Sequence, residues 1–283
     1  MGRDWPIPSY LSQGNTVAKS VSVRLESITK VYKEVSDILE RGPGIRALDN
    51  VSLEIENGET MSILGPSGCG KSTLLKVIAG LESVEKGGAV YYKDKDVTTM
   101  PPGDRGVGMV FQDFALYPNY KSKGNLSFSF WIRKVAQDKI DERVKETSKI
   151  MGIGFNKLLG RMPTTLSGGE QQRVAIGRCI VRHPTIFLMD EPISNLDAKL
   201  RVKTRGEIKR LLSQFNITTV YVTHDQTEAI SMGDRIAVMK EGEIVQVGMY
   251  DELCSGPINR FVADFVAKPS VNFFKGTKVE YRG

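Results

Sequence analysis

Residues 65–72 read Gly-Pro-Ser-Gly-Cys-Gly-Lys-Ser and match the phosphate-binding pattern G-x-x-x-x-G-K-[ST]. The apolar run 60–64 predicts a buried strand before this loop, and residues 72–82 have the apolar spacing of a helix after it. In this context the glycines let backbone N–H groups surround a phosphate, and the helix directs its positive dipole end at it. Lys71 can then reach the β- and γ-phosphates and the Ser72 hydroxyl can bind Mg²⁺, so the pattern predicts a nucleotide site.

Two carboxylates follow a second apolar run. Residues 186–189 predict a buried strand, and Asp190 and Glu191 come directly after it. In an open parallel sheet the carboxyl ends of the strands form the ligand-binding edge. We expect Asp190 to hold Mg²⁺ directly or through water, and Glu191 to polarise the water that attacks the γ-phosphorus. Two acidic residues after a strand are otherwise typical of a helix cap or a solvated surface; the phosphate loop favours the catalytic interpretation.

Two further polar residues each follow a strand-like run. His224 follows the run 218–223, and a neutral imidazole there can hydrogen-bond the γ-phosphate. Gln112 can offer an amide oxygen to Mg²⁺ or to water. A structural histidine and an ordinary surface glutamine are the alternatives for these two residues.

Residues 166–173, Leu-Ser-Gly-Gly-Glu-Gln-Gln-Arg, form a second turn suited to holding an anion. Ser167 and the amides of Gly168 and Gly169 stand at the predicted start of a helix, where backbone donors favour negative charge. The alternative is that Ser167 only caps this helix and nothing is bound.

The elements around these motifs predict an α/β fold. Uninterrupted apolar strands alternate with helical stretches, which is typical of a mostly parallel sheet covered on both faces. Residues 235–248 predict an antiparallel hairpin that turns at Glu241–Gly242. Residues from about 114 to 176 predict a helical insert, since residues 138–153 have one apolar face on a charged helix. The segment 33–46 suggests no role.

The composition is that of an ordinary globular protein, with 40% hydrophobic and 25% charged residues. Neither an apolar run of membrane-spanning length nor the apolar core of a signal peptide is present, which predicts a cytosolic chain unless a partner brings it to a membrane. The net charge of +6 is spread along the chain, which favours a mildly basic exterior and no nucleic-acid partner. The three cysteines are far apart, as expected for free thiols in a reducing compartment.

In chain order the motifs are the phosphate loop, Gln112, residues 166–173, the strand ending at Asp190, the segment 194–197 and His224. This combination resembles the ATP-binding-cassette (ABC) ATPases over about residues 21–255. The resemblance implies a P-loop NTPase core of RecA-like type, with ATP and Mg²⁺ as cofactors.

Position by position, the resemblance implies three sets of residues within one subunit. The ATP-binding set is Tyr32, Gly65, Pro66, Ser67, Gly68, Cys69, Gly70, Lys71, Ser72, Thr73 and Gln112. The metal-binding set is Ser72, Gln112 and Asp190, and the catalytic set is Glu191, His224 and Lys71. Within these sets Gln112 resembles the switch glutamine between nucleotide and membrane partner. Tyr32 resembles the aromatic residue that stacks on adenine, with a packing role at a strand end as the alternative.

The resemblance also implies a second subunit. In this family two subunits pack head to tail, which makes both sites equivalent. Ser167, Gly168, Gly169 and Glu170 of one subunit would cover the γ-phosphate in the other. Because the chain already has one phosphate loop, a second anion-holding turn is redundant unless it serves a neighbour. Ser194, Asn195, Leu196 and Asp197, here called the interface loop, would cross the interface of an ATP-dependent homodimer.

Two segments resemble the ATPases of carbohydrate importers of the maltose, trehalose and glycerol-phosphate type, namely residues 100–120 and 266–274. The resemblance implies an ATPase that energises sugar uptake through two integral-membrane permease subunits, with an extracytoplasmic solute-binding protein acting indirectly. Such a chain would lie at the cytoplasmic face of the membrane. An importer for polyamine, sulfate or iron is one alternative, and a soluble cassette regulator without transport is another.

Two features depart from the importer pattern. Residues 119–128 differ from the usual sequence before the asparagine at 125, in a region that contacts the membrane subunit. The chain ends at Gly283, so the C-terminal β-rich regulatory domain is expected to be essentially absent. We therefore expect a flexible leader at 1–20, a nucleotide-binding domain at 21–255 and a C-terminal stub at 256–283.

Overall fold

A computed structural model describes residues 20–33 and 44–267. Almost all of the predicted leader, the centre of the segment 33–46 and the stub from residue 268 onward lie outside the described residues.

The described residues form ten strands and nine α-helices. The strands are β1 (Val21–Tyr32), β2 (Ile45–Glu56), β3 (Thr60–Leu64), β4 (Ala89–Tyr92), β5 (Lys95–Asp96), β6 (Val107–Val110), β7 (Ile186–Asp190), β8 (Thr218–Thr223), β9 (Arg235–Lys240) and β10 (Glu243–Gly248). The helices are α1 (Lys71–Ala79), α2 (Ser122–Ile132), α3 (Gln137–Met151), α4 (Phe155–Leu158), α5 (Gly168–Ile180), α6 (Ala198–Phe215), α7 (Gln226–Met232), α8 (Tyr250–Ser255) and α9 (Arg260–Val266). Two short 3₁₀ turns lie at Pro102–Asp104 and Pro163–Thr165.

The strands form two sheets. The smaller is antiparallel, in the order β2-β1-β4-β5. The larger has the order β10-β9-β3-β8-β7-β6 and is parallel except for the β9–β10 hairpin. The prediction of an α/β fold with a mostly parallel sheet is confirmed. Every residue of β3, β7 and β8 is buried, which explains why these strands are apolar without alternation.

Helices α1 and α5 pack on opposite faces of the larger sheet. Leu188 of β7 belongs to the same buried cluster as Leu75 of α1, whereas the next residue, Met189, belongs to the cluster of Ile176 of α5. Successive residues of a strand point to opposite faces, so the two clusters lie on the two sides of the sheet. The phosphate loop therefore begins its helix on one face, and the second glycine turn begins its helix on the other.

The predicted helical insert consists of α2, α3 and α4 packed against α5. Its first helix begins at Ser122, and α5 continues to Ile180, so the helices are shifted towards the C-terminus relative to the predicted 114–176. Ile140, Val144 and Met151 of α3 are buried, as the apolar face of that stretch predicts.

The hairpin between β9 and β10 turns where the sequence predicts. Glu241 has φ 49° and Gly242 has φ 87°, the two left-handed residues of a type I′ turn. The Gly242 N–H donates to the Cys69 carbonyl at 3.0 Å, and its own carbonyl accepts from the Asp49 N–H at 2.9 Å. The hairpin tip thus supports the phosphate loop through the Gly242–Cys69 hydrogen bond, a contact here called the brace.

Helix α1 is shorter than its sequence spacing suggests. It ends at Ala79, and Gly80 follows at φ 78° as a left-handed cap. The expectation that Leu81 continues the apolar face is wrong, because this residue lies beyond the cap and is 49% exposed.

In the described ranges, no helix combines the length and the apolar character needed to cross a bilayer. Beyond residue 255, α9 packs back on the sheet, since Val262 and Val266 share a buried cluster with Leu64 and Val238.

Candidate nucleotide site

The phosphate loop lies between β3 and α1 with its backbone donors free of side-chain caps. Gly68 and Gly70 have φ values of 79° and 105°, which favour glycine. A Cβ at Gly70 would lie 2.3 Å from the Ala47 carbonyl oxygen, so no larger residue fits there. The first turn of α1 has neither a side-chain cap nor an acidic residue. Its N–H groups are therefore available to an anion.

Lys71 lies within this loop and is 5% exposed. Its ammonium donates to the Gly65 and Pro66 carbonyls, each at 2.8 Å. An ammonium has three donors, so Lys71 can donate to a phosphate oxygen while it keeps both hydrogen bonds to the loop carbonyls.

The remaining loop side chains differ in exposure. Ser67 is exposed and Thr73 is partly buried, while Cys69 is buried in the apolar cluster below the loop. Burial raises the pKa of the Cys69 thiol, which keeps it neutral. Cys69 can therefore contribute to a phosphate site through its backbone only.

Ser72 and Asp190 meet at the carboxyl edge of the sheet, where the Ser72 hydroxyl donates to Asp190 Oδ1 at 2.8 Å. Burial raises the pKa of Asp190 and the neighbouring Glu191 adds to the rise, whereas the Ser72 hydrogen bond opposes it. A cation at this position would favour the ionised carboxylate. Within the described part of the chain, no group of three or more His, Cys, Asp or Glu residues is placed to hold a metal alone. Ser72 and Asp190 could supply oxygen ligands to Mg²⁺, which commonly takes substrate phosphates and water as its other ligands.

Glu191 and His224 form a second pair at the same edge. Glu191 Oε2 lies 2.9 Å from His224 Nδ1. Because an ionised carboxylate only accepts, Nδ1 carries the hydrogen in this contact. Glu191 has φ 44°, a left-handed conformation that costs about 1–2 kcal/mol for a residue with a side chain. Its N–H donates to the Val222 carbonyl at 3.0 Å, which helps to hold the carboxylate at the strand end.

Gln112 also follows a strand at this edge, whereas Tyr32 ends β1 in the smaller sheet. Gln112 is exposed in the turn after β6, and its main-chain carbonyl accepts a hydrogen bond from Asn195 Nδ2 at 2.9 Å. The sequence places Gln112 at a strand end, but β6 stops two residues earlier at Val110. Tyr32 lies at the end of β1, pairs with Ile45 of β2 and is 37% exposed. Two residues further along β2, the Ala47 carbonyl lies against Gly70 of the phosphate loop.

The second glycine turn satisfies two of its backbone donors, those of Ser167 and Glu170, within the turn. The Ser167 N–H donates to Glu170 Oε2 at 2.8 Å, and the Glu170 N–H donates to Ser167 Oγ at 3.4 Å, which is a capping box. Arg161 also contacts the Glu170 carboxylate at 3.0 Å. The backbone hydrogen bond from Ser167 and the Arg161 charge lower the pKa of Glu170. Ser167 is therefore the N-cap of α5, and its role towards a partner's phosphate stays a prediction.

The structure does not bring this turn together with the phosphate loop of its own chain. Helices α1 and α5 start on opposite faces of the larger sheet. Gly168 and Gly169 instead pack closely on Leu196 and Leu200, since an added Cβ would lie 3.0 Å from each leucine. The glycines of the turn thus lie beside the interface loop.

The interface loop is tied to the candidate catalytic residues. The Glu191 carbonyl accepts from Ser194 N–H at 3.2 Å and from Ser194 Oγ at 2.9 Å. Asp197 caps α6, accepting from the Leu200 N–H at 2.9 Å. Leu196 is buried.

Two arginines that the sequence motifs do not predict donate hydrogen bonds to the loop after Gln112 and to the interface loop. Arg178 of α5 donates to the carbonyls of Phe114 and Ala115, both left-handed, just after Gln112. Arg201 of α6 donates to carbonyls of residues 193–196. Their partners are main-chain atoms, so no residue pattern in the sequence marks these contacts.

Comparison with known families agrees with this geometry. Residues 48–194 match the ABC transporter family. The chain belongs to the ABC transporter family. This finding confirms the resemblance drawn from the motifs and the P-loop fold that it implies.

Two curated relatives of this ABC protein are import ATP-binding proteins. The trehalose/maltose import ATP-binding protein MalK of Thermococcus litoralis is 49% identical over 264 residues, covering 91% of this chain and 68% of the relative. The xylose/arabinose import ATP-binding protein XacK of Haloferax volcanii is 49% identical over 254 residues, covering 89% and 64%. The chain thus spans about two thirds of the length of the curated relatives it matches.

A solved structure is also similar to this ABC chain. It is the dimeric structure of a post-hydrolysis state of the ATP-binding cassette MJ0796 bound to ADP and Pi. The TM-score is 0.68 at 33% identity, covering 80% of this chain and 98% of the other.

Proposed function

We propose that this chain is the ATP-hydrolysing, nucleotide-binding subunit of an ABC importer that energises sugar uptake. The observation that carries the proposal is the arrangement at one sheet edge. Lys71 and Ser72 of the phosphate loop, Asp190, and the Glu191–His224 pair all lie there. These are the groups that phosphoryl transfer to water requires: phosphate donors, a cation site and a carboxylate for the water.

Each residue has a distinct task in this proposal. Mg²⁺, held through Ser72 and Asp190, would neutralise phosphate charge when bound. Lys71 binds the phosphates, and Glu191 orients the attacking water and accepts its proton. His224 holds the Glu191 carboxylate at 2.9 Å in this structure, and contact with the γ-phosphate would require the imidazole to share or release that bond. Gln112 would offer its amide oxygen to the cation or the water, and Tyr32 its exposed ring to adenine.

We further propose that the active unit is an ATP-dependent, head-to-tail homodimer. The turn 167–170 would bind the γ-phosphate held by the partner, because α5 starts on the face of the sheet opposite to α1. The capping box would open or share its donors as that phosphate arrives. The dimeric state of the similar ATP-binding cassette supports this arrangement.

The proposed partners are two integral-membrane permease subunits, with an extracytoplasmic solute-binding protein acting through them. With these partners the chain would lie at the cytoplasmic face of the membrane. An exposed aromatic surface that follows Gln112 in the chain supports the docking of such subunits, with Tyr117, Tyr120 and Trp131 in contact and each 37–41% exposed. Asn125 fixes this surface, because its side chain bonds the backbone of Tyr117 and Tyr120 at 2.8 Å each. The import of sugars is proposed because the names of both curated relatives state it for those proteins.

The first test is the Glu191→Gln variant. It keeps the size and polarity of the side chain and removes the carboxylate that handles the water. We expect ATP binding to persist, ATP hydrolysis to fall by about 100-fold or more, and ATP to trap a dimer. Hydrolysis and dimer mass would be measured with Glu243→Gln, at an exposed strand position, as the matched control. Full hydrolysis by Glu191→Gln would remove Glu191 from the mechanism.

The second test separates an importer subunit from a cytosolic regulator. We expect the chain to co-purify with integral-membrane subunits, and the reconstituted complex to accumulate a sugar when ATP is present. Co-purification with soluble proteins only would favour the regulator. Uptake of polyamine, sulfate or iron in place of sugar would overturn the substrate class alone.

A further inference from the structure

Glu228 of α7 is a carboxylate buried directly behind the candidate site, with 3% exposure. Its Oε2 accepts hydrogen bonds from the Thr223 hydroxyl at 2.8 Å and from the Tyr221 hydroxyl at 3.2 Å. Thr223 Oγ1 also accepts from the Asp225 N–H at 3.0 Å. Glu228 therefore fixes the main chain on both sides of His224.

Arg201 lies between this carboxylate and the interface loop. Its Nε is 4.0 Å from Glu228 Oε1. The same guanidinium donates to three carbonyls, those of Ile193 at 3.3 Å, Ser194 at 3.0 Å and Leu196 at 3.2 Å. A planar guanidinium with five donors can hold several acceptors at once, which a lysine ammonium on a flexible stem does not reproduce.

These contacts close a ring through the catalytic pair. Ser194 donates to the Glu191 carbonyl, and the Glu191 carboxylate contacts His224. From His224 the ring returns through Thr223, Glu228 and Arg201 to the interface loop. The loop expected to meet a second subunit and the two residues expected to perform hydrolysis thus belong to one set of contacts.

Arg201 brings a positive charge to the buried end of this ring. Burial raises the pKa of Glu228 and the Asp225 charge adds to the rise, whereas the Thr223 and Tyr221 hydroxyls and the Arg201 charge act in the opposite direction. Removing Arg201 leaves this carboxylate with neutral donors only, and a buried charge without its partner tends to displace its surroundings. A displaced Glu228 would move the end of β8, to which it is bonded through Thr223, and with it His224.

We propose that the Arg201–Glu228 pair is a positioning device for ATP hydrolysis that fixes the interface loop relative to His224. Arg201 and Glu228 need not touch nucleotide. They act through the Glu191–His224 pair. When the second subunit contacts the interface loop, this contact would position Glu191 and His224 for hydrolysis. This inference rests on the proposed ATPase function.

The test compares Arg201→Lys with the parent chain. We expect the kcat for ATP to fall by about tenfold or more, because a small displacement of catalytic groups suffices for such a loss. The KM for ATP and the affinity for a fluorescent ATP analogue should stay within about twofold, because the phosphate loop is untouched. Arg210→Gln is the matched control, since Arg210 is exposed on the same helix and donates to Gln214 of that helix.

The pair is tested as a pair with Glu228→Gln and the double variant. Glu228→Gln keeps the shape of the side chain and should also lower kcat at unchanged KM. If the two residues act through each other, the double variant should lose no more than the more damaged single variant. Thermal melting of each variant separates loss of folding from loss of positioning.

Three results would overturn the inference while leaving the proposed function intact. These are an unchanged kcat in Arg201→Lys, an equal fall in kcat and nucleotide affinity, and strictly multiplicative losses in the double variant. Absence of ATP hydrolysis by the parent chain, or full hydrolysis by Glu191→Gln, would instead contradict the proposed function itself.

Discussion

The two helix N-termini at the motif turns differ in how their backbone donors are satisfied. At α1, Gly70 offers no side chain, no acidic residue lies in the first turn, and Lys71 adds positive charge. At α5, Ser167 and Glu170 cap the helix reciprocally. The first turn therefore leaves its backbone donors open to an anion, whereas the second already uses two of its donors within the turn. The two turns thus differ in the donors that remain for a phosphate, and the variants below test this difference.

The largest expected effect is at α1. We expect Lys71→Ala to weaken ATP binding by about 2–5 kcal/mol, the usual cost of removing one partner of a buried charged contact. Titration of the monomer with a fluorescent ATP analogue measures it. Lys86→Ala, which removes one exposed lysine, is the control. Unchanged affinity in Lys71→Ala would contradict the assignment of the loop.

The next effect is at α5 and concerns hydrolysis alone. We expect Ser167→Arg to reduce ATP hydrolysis by about 100-fold while monomer binding of ATP is retained, since donors to the developing charge are lost in the partner's site. Ser255→Arg, at an exposed position of α8, controls for the added charge.

Mixing the two damaged chains sharpens this result. A dimer of Lys71→Ala with Ser167→Arg contains one composite site with both turns intact. Part of the hydrolysis should therefore return on mixing. If mixing restores nothing, or if Ser167→Arg alone loses monomer binding, the trans role of the turn is wrong.

A smaller effect concerns stability. We expect Ser167→Ala to lower the free energy of unfolding by about 1 kcal/mol, because the α5 cap is lost. Denaturant unfolding measures it, with Thr165→Ala as a control that removes a nearby hydroxyl from outside the cap. Helix α1 has no side-chain cap to remove, so this loss has no counterpart there.

The smallest effect is a pH dependence at α5. The pKa of Glu170 is lowered, first by the Ser167 backbone hydrogen bond, so its contribution is fully present above the ordinary glutamate pKa. That contribution is lost as pH falls through the lowered value. We expect the difference in Tm between the parent chain and Glu170→Gln to be greatest near neutral pH and to vanish in strong acid. Glu142→Gln provides the baseline at an exposed position, and a difference that grows in acid would contradict this account.

Much of the fold follows from local patterns. The strands 60–64, 186–190 and 218–223 are buried on both faces, which produces the apolar runs that predict them. The turn at Glu241–Gly242 follows from the left-handed conformations that glycine favours. The apolar spacing does not predict the end of α1, because Gly80 caps the helix although Leu81 continues that spacing.

The candidate site was predicted less completely than the fold. Lys71 and Asp190 lie in short motifs whose chemistry depends on neighbours in the chain. The Glu191–His224 contact joins residues 33 positions apart, and the Arg201 contacts are with main-chain carbonyls that any residue would provide. Helices α1 and α5 lie on opposite faces of the sheet because α1 packs against Leu188 of β7 and α5 against the next residue, Met189. The motifs alone do not predict which face each helix covers.

The brace between the β9–β10 hairpin and the phosphate loop has a consequence for nucleotide binding. The Gly242 N–H bonds the Cys69 carbonyl, and Gly65 lies so close to the Met239 carbonyl that an added Cβ would be 2.4 Å from it. A loop already fixed in this shape gives up little conformational entropy when a ligand arrives. More of the interaction energy of ATP can then appear as attraction between subunits. Preorganisation of the first turn would thereby favour recruitment of the second.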